Sequence, residues 1–129
     1  YWNVDEIHCF DSGYEPFNQL PQKSFDGVVT TDVLEHCPVE DVRWILEEIF
    51  SFANKFVFAN IACYPARTIL PNNRNAHCTI LPAAWWKIIL SKLSATFPHI
   101  KYAIILEYAW ITPRGNKFIK QLLSNSING

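Results

Sequence analysis

The chain has 129 residues, half of them hydrophobic and 15% aromatic against 18% charged. That length and composition specify one folded domain with a buried core and exclude a disordered chain. The formal net charge of −1 argues against a basic surface for non-specific DNA or RNA binding, and no apolar run approaches the roughly 20 residues of a membrane-spanning helix.

In chain order, Ile7-His8-Cys9-Phe10 is a short apolar run ended by Asp11-Ser12-Gly13, which predicts a strand stopped by a turn. Residues 13–24, with Pro16 and Pro21, read as irregular. Phe25 to Thr31 is β-branched and predicts a buried strand. A helical stripe follows, made of Val39, Val42, Ile45, Leu46, Ile49 and Ala53. Pro38 suits its first position, and Glu40 and Asp41 suit the positive end of the helix dipole. Lys55 to Ile61 is a further buried-strand run. Strand, helix and strand within about forty residues make a βαβ unit with parallel neighbours.

A Pro- and Asn-rich loop covers residues 63–81. Pro82 then opens a second helix with a buried stripe of Trp85, Trp86, Ile89, Leu90 and Leu93, so both tryptophans are expected in the core. Pro98 closes it. Ile100 to Trp110 reads as a long strand and Thr112 to Asn116 as a turn, while Lys117 to Leu123 suits either a strand returning antiparallel, the favoured reading, or a helix of about two turns. The expected fold class is α/β: an open, mostly parallel sheet with flanking helices and an antiparallel C-terminal strand. Ligands in such sheets bind outside the carboxyl ends of the strands. That rule marks Asp11, residues 32–37 and residues 63–77 as the functional rim.

Cys9, Cys37, Cys63 and Cys78 stand far apart, without a Cys-x-x-Cys pair, and a chain of this size needs no disulfide staples. With no basic-then-apolar leader pattern, reduced thiols in a cytoplasmic protein are expected, acting as small core hydrophobes. Lys92, Lys101, Arg114, Lys117 and Lys120 form no basic run. The absence of methionine, with Tyr1-Trp2-Asn3 at the start, carries the expectation that the sequence begins inside a longer protein.

The segment Phe25-Asp26-Gly27-Val28-Val29-Thr30-Thr31-Asp32-Val33-Leu34-Glu35-His36 resembles the fourth-strand motif of class I S-adenosylmethionine-dependent methyltransferases. The resemblance extends through the following helix and strand to Asn75-x-His77 and the Trp-rich helix, covering the order of elements from Ile7 to about Trp110. It implies a partial Rossmann-like domain and S-adenosylmethionine as cofactor. By the same resemblance Asp11 receives the ribose hydroxyls, as one ionised carboxylate suits two adjacent donors. Its alternative is an Asx-turn with Ser12 and Gly13. Asp32 and Val33 join Asp11 as cofactor-binding residues. The family's Gly-x-Gly-x-Gly loop has no counterpart among the four glycines of this chain. The stretch between Asp11 and Phe25 is also too short for the family's helix and third strand. The chain by itself is therefore expected to bind the cofactor poorly and to be inactive alone.

Asp32, Glu35, His36 and His77 combine two carboxylates with two imidazoles, a ligand set for a divalent metal. A similar Glu-x-x-Glu-His pattern with a later histidine holds the metal in some members of the resembled family, such as the small-RNA 2′-O-methyltransferases, with Asp32 here in place of the first glutamate. A metal there acts as a Lewis acid on a substrate hydroxyl, and without one His36 or His77 serves as base or substrate contact. The structural alternative makes Glu35 and His36 turn residues and His77 a loop histidine bonded to backbone. Methyl transfer to an unidentified acceptor, small molecule or macromolecule, is the leading expectation. A non-catalytic methyltransferase-like binding module and a metallohydrolase are the rivals. Strand edges left open by a missing central strand are expected to form a homodimer, or to let the second strand close onto the fourth.

Overall fold

A computed structural model of the chain describes residues 3–126. It contains β1 (Phe25–Thr31), α1 (Val39–Ser51), β2 (Ala53–Ala62), α2 (Ala83–Thr96), β3 (Lys101–Thr112) and β4 (Gly115–Ser124). The sheet order is β1-β2-β3-β4, with β1, β2 and β3 parallel and β4 antiparallel to β3. The α/β class, the open and mostly parallel sheet and the returning last strand are as expected from the sequence.

In α1, Val42, Leu46 and Phe50 are buried, four residues apart and therefore on one stripe. Ile45 and Ile49 pack beside them. Val39 and Ala53 do not belong to this stripe. Val39 is exposed, and Ala53 is the first residue of β2 because the helix ends at Ser51. Phe50 takes the place the sequence reading gave to Ala53. Pro38 caps the helix one residue earlier than expected, with Glu40 and Asp41 in the first turn. In α2, Trp86, Leu90 and Leu93 are buried and Trp85 and Ile89 half-buried, against the same core.

Alternation along the strands divides the sheet into two faces. Val57, Ala59 and Ile61 of β2, Ile104 and Leu106 of β3 and Leu123 of β4 lie in the core with both helices. The opposite face carries Val29, Phe56, Phe58 and Ala103, which line a shallow apolar hollow with Lys101. No helix of the described residues covers it, and Val29 is 48% exposed. A Cβ on Gly27 would meet the Phe56 ring at 2.0 Å, so glycine is what lets that ring lie across β1.

Ile7 to Phe10 does not form a strand. The segment is irregular, and Ile7 is 69% exposed. Four residues with no partner strand bury too little to hold an extended pairing. The outer edge of β1 is therefore unpaired among the described residues, and the second strand does not close onto the fourth. The expectation that all four thiols are core hydrophobes also fails. Cys63 is buried and Cys37 half-buried, but Cys9 and Cys78 are exposed, and all four are free.

Candidate metal centre

Three of the four residues expected to form a polar cluster converge at the carboxyl ends of β1 and β2, and local backbone geometry explains which three. β1 stops at Asp32, whose φ of +54° is a left-handed conformation that aspartate tolerates better than most residues. Its N–H donates to the Asn60 carbonyl at 3.0 Å, so the bend is tied to the neighbouring strand. The chain then makes a single 3₁₀ turn, Leu34–His36. Leu34 is anchored in the core, and Glu35 is wholly buried beside it. Glu35 Oε1 accepts the Ala62 N–H at 3.2 Å, at the end of β2.

The opposing loop is fixed by Asn75. Its side chain bonds the N–H and C=O of Ala66, both at 2.9 Å, and accepts the His77 N–H at 2.9 Å. Residues 77–79 are then laced to the 3₁₀ turn. The Thr79 N–H donates to Glu35 O at 3.0 Å, Thr79 Oγ1 to Cys37 O at 2.6 Å and Cys78 Sγ to His36 O at 3.2 Å. Sequence reading attached no role to Thr79 and saw Asn75 only as part of a motif. Thr79 contributes backbone contacts about 40 residues away along the chain, which no local pattern announces, while those of Asn75 reach nine residues at most.

The two imidazoles are oriented alike. His36 Nδ1 lies 2.9 Å from Ala76 O, and His77 Nδ1 lies 2.6 Å from Tyr64 O. A carbonyl only accepts, so each Nδ1 carries the proton, which leaves Nε2 of each neutral ring with a free lone pair. The ring centroids are 4.8 Å apart. One ligand atom from each of Glu35, His36 and His77 lies within 4.8 Å of the other two. Glu35 Oε2 is buried with no hydrogen-bond partner, and no cationic side chain of the described residues pairs with Glu35. An uncompensated buried carboxylate is costly, and a cation beside it removes that cost.

These residues fit a divalent ion. Two neutral imidazoles and one carboxylate, with the imidazole Nδ1–H groups fixed by carbonyls, form a familiar three-ligand set that leaves positions open for substrate. The nitrogen content favours zinc or a neighbouring first-row cation over calcium or magnesium. Asp32 is not part of this cluster. The left-handed bend turns it toward the adjacent strand, where Oδ1 accepts the Asn60 side-chain amide at 3.4 Å.

The residues assigned to the cofactor separate in the same way. Asp32 and the exposed Val33 share the rim at the end of β1. Asp11 has no strand behind it. Its Oδ1 accepts the Gly13 N–H at 2.8 Å, the Asx-turn arrangement.

Titration shifts near the centre point one way. Burial, followed by the Cys78, Glu35 and Asp41 charges, raises the Cys37 thiol. Burial also raises the Tyr64 phenol, with smaller contributions from Glu107, Asp32 and Glu35. Both groups are therefore neutral at physiological pH, and the electron-pair donors on offer are the carboxylate and the imidazoles. Comparison with family models, curated proteins and solved structures yields no match for this chain.

Proposed function

We propose that this chain carries the acceptor-activating side of a metal-dependent, S-adenosylmethionine-dependent methyl transfer to a hydroxyl group. The observation that carries the metal is the pair of imidazoles, each with Nδ1 on a backbone carbonyl, clustered with a glutamate that has a buried, unpartnered carboxylate oxygen. The methyl donor comes from the resemblance of Phe25 to His36 to the methyltransferase motif. Two features of the fold support the reading. The parallel order β1-β2-β3 matches half of a doubly wound, Rossmann-like sheet, and the cluster lies outside the carboxyl ends of its strands, where such sheets bind ligands.

Glu35 supplies negative charge from the buried side, and His36 and His77 supply neutral nitrogen from the solvent side. A metal held there supplies Lewis acidity, lowering the pKa of a bound hydroxyl. The residues of the chain fix the acceptor oxygen at the sheet rim, and such positioning accounts for much of the rate in displacement reactions. Asp32 and Val33 are what the rim of β1 offers to the cofactor. With no glycine-rich loop in the sequence, we propose that the grip on the methionine part comes from outside these residues, so the chain alone binds the cofactor weakly. Four free thiols suit a reducing, cytoplasmic setting, and the open edge of β1 suits pairing with a second copy.

Cobalt(II), a spectroscopic substitute for zinc, tests the central claim. The expected result is about one equivalent bound, with ligand-field bands that His36→Ala and His77→Ala each abolish. Bands that persist unchanged in both variants, or no stoichiometric binding, overturn it. A parallel titration with S-adenosylmethionine tests the donor side, since saturable micromolar binding would exclude a non-binding module.

A further inference from the structure

On the far side of Tyr64 from the metal centre lies a second feature that the proposed chemistry has not used. Tyr64 forms the shared wall. Its carbonyl fixes the His77 ring, and its own ring stands edge-on to His77, with centroids 5.7 Å apart, and to Phe118, 5.3 Å apart. Beyond Tyr64 lies a cleft of about 270 Å³ between the loop after β2 and the β3–β4 hairpin, lined by Tyr64, Pro65, Arg67, Ile111, Asn116 and Phe118 among others. Its walls are largely apolar. Ile111 is 84% exposed and Phe118 55%, although neither contributes to the core.

Arg67 is the single charged residue lining this cleft. It makes no ion pair and no side-chain hydrogen bond among the described residues. The nearby basic group on the hairpin, Lys120, is engaged by Glu107 at 2.7 Å. A free guanidinium matches a planar anion in a two-pronged contact, and Phe118 with Tyr64 provides flat apolar surface for a ring. The volume is at the small end for ligand sites, roughly 300 Å³ and upward, which suits one ring rather than an extended chain.

We propose that this cleft is the acceptor subsite, and that the acceptor is a single-ring aromatic hydroxy acid. Its carboxylate lies on Arg67, its ring lies against Phe118 and Tyr64, and its hydroxyl reaches the Glu35–His36–His77 centre. The assignment rests on the metal-centre reading for the role of the hydroxyl. The carboxylate and ring contacts stand on the cleft residues alone, which makes the two separable.

Calorimetric titration of the full chain with 4-hydroxybenzoate tests it, beside cobalt spectra of the same samples. Saturable binding is expected in the wild type, weakened at least tenfold by Arg67→Gln and by Phe118→Ala, with the cobalt spectrum of both variants unchanged. The amide 4-hydroxybenzamide should lose at least tenfold against the acid in the wild type and nothing in Arg67→Gln. No binding in a protein that holds cobalt overturns the acceptor assignment and leaves the metal centre standing. Arg67-dependent binding in a protein that holds no cobalt supports the cleft and removes the centre. Phenyl phosphate binding tenfold tighter than the carboxylate overturns the substrate class. Equal binding by all variants overturns the subsite itself. Arg67 and Phe118 are exposed, so neither substitution removes core packing, and circular dichroism verifies that each variant is folded.

Discussion

Glu35 and Asp32 are three residues apart and carry the same functional group, yet the fold gives them different work. Asp32 occupies a left-handed bend and turns to Asn60, while Glu35 follows the anchored Leu34 into the core. The choice between them depends on one dihedral angle, which residue type alone does not reveal. The histidines were more legible, because a loop histidine bonded to backbone and a metal-ligating histidine have the same local geometry. The carbonyl bond at Nδ1 satisfies the first description and prepares Nε2 for the second. At this scale the titration of Tyr108 makes a definite prediction. Burial, with the adjacent Cys63 thiol as a lesser cause, pushes its phenol from 10.0 up to about 12. The unfolded chain loses this proton first, so the stability tied to the neutral phenol is whole below pH 10 and is lost as pH climbs from 10 to 12. The thiols of Cys37 and Cys63, raised from 9.0 mainly by burial, shift the onset of the decline toward pH 9. Urea unfolding across pH 8–12 should show that fall, and Tyr108→Phe should flatten its upper part. An identical decline in the variant would show that the phenol is not buried as described.

The helices show how far a hydrophobic stripe can be trusted as an element. Period 3.6 located both of them and their proline starts, and it misjudged only the ends, where Val39 is exposed and Phe50 completes the buried face of α1. Strand ends were similarly displaced. β3 and β4 run to Thr112 and from Gly115, because a two-residue turn suffices when Gly115 can take a φ of +110°. Within α2 the adjacent tryptophans are unequal, since Trp86 is wholly buried and Trp85 only partly. Trp86→Ala should cost about 3–5 kcal/mol, the range for deleting a large buried aromatic side chain. Trp44→Ala, on a side chain 53% exposed with one hydrogen bond to Asp41, should cost under about 1.5 kcal/mol. Equilibrium denaturation of the two variants gives the comparison. Equal losses would contradict the placement of α2 on the sheet.

At the scale of the whole molecule the sheet is finished on one side only. The β4 edge carries Lys117 together with Lys120, the latter paired with Glu107, and charges of this kind discourage edge-to-edge pairing. The β1 edge carries one charge, Asp26, already paired with Lys55 at 2.7 Å, next to the uncovered apolar face with Val29, Phe56 and Phe58. Association through β1 should therefore make the chain a dimer in light scattering at micromolar concentration, and Val29→Lys should return it to a monomer. A wild-type monomer would show that the bare edge is tolerated.

The sequence by itself determined the α/β class and the βαβ unit and favoured the antiparallel last strand over a short helix, because periodicity and turn residues are properties of neighbours along the chain. It also suggested a strand at Ile7 to Phe10, since a short apolar run carries no information about whether a partner strand lies beside it. Only the tertiary structure decided that this run stays unpaired, that Asp32 turns to Asn60 while Glu35 gathers with His36 and His77, and that the Tyr64 ring stands between His77 and Phe118. Each of those outcomes depends on contacts between segments distant in sequence, and their energies appear only when the sheet brings the segments together.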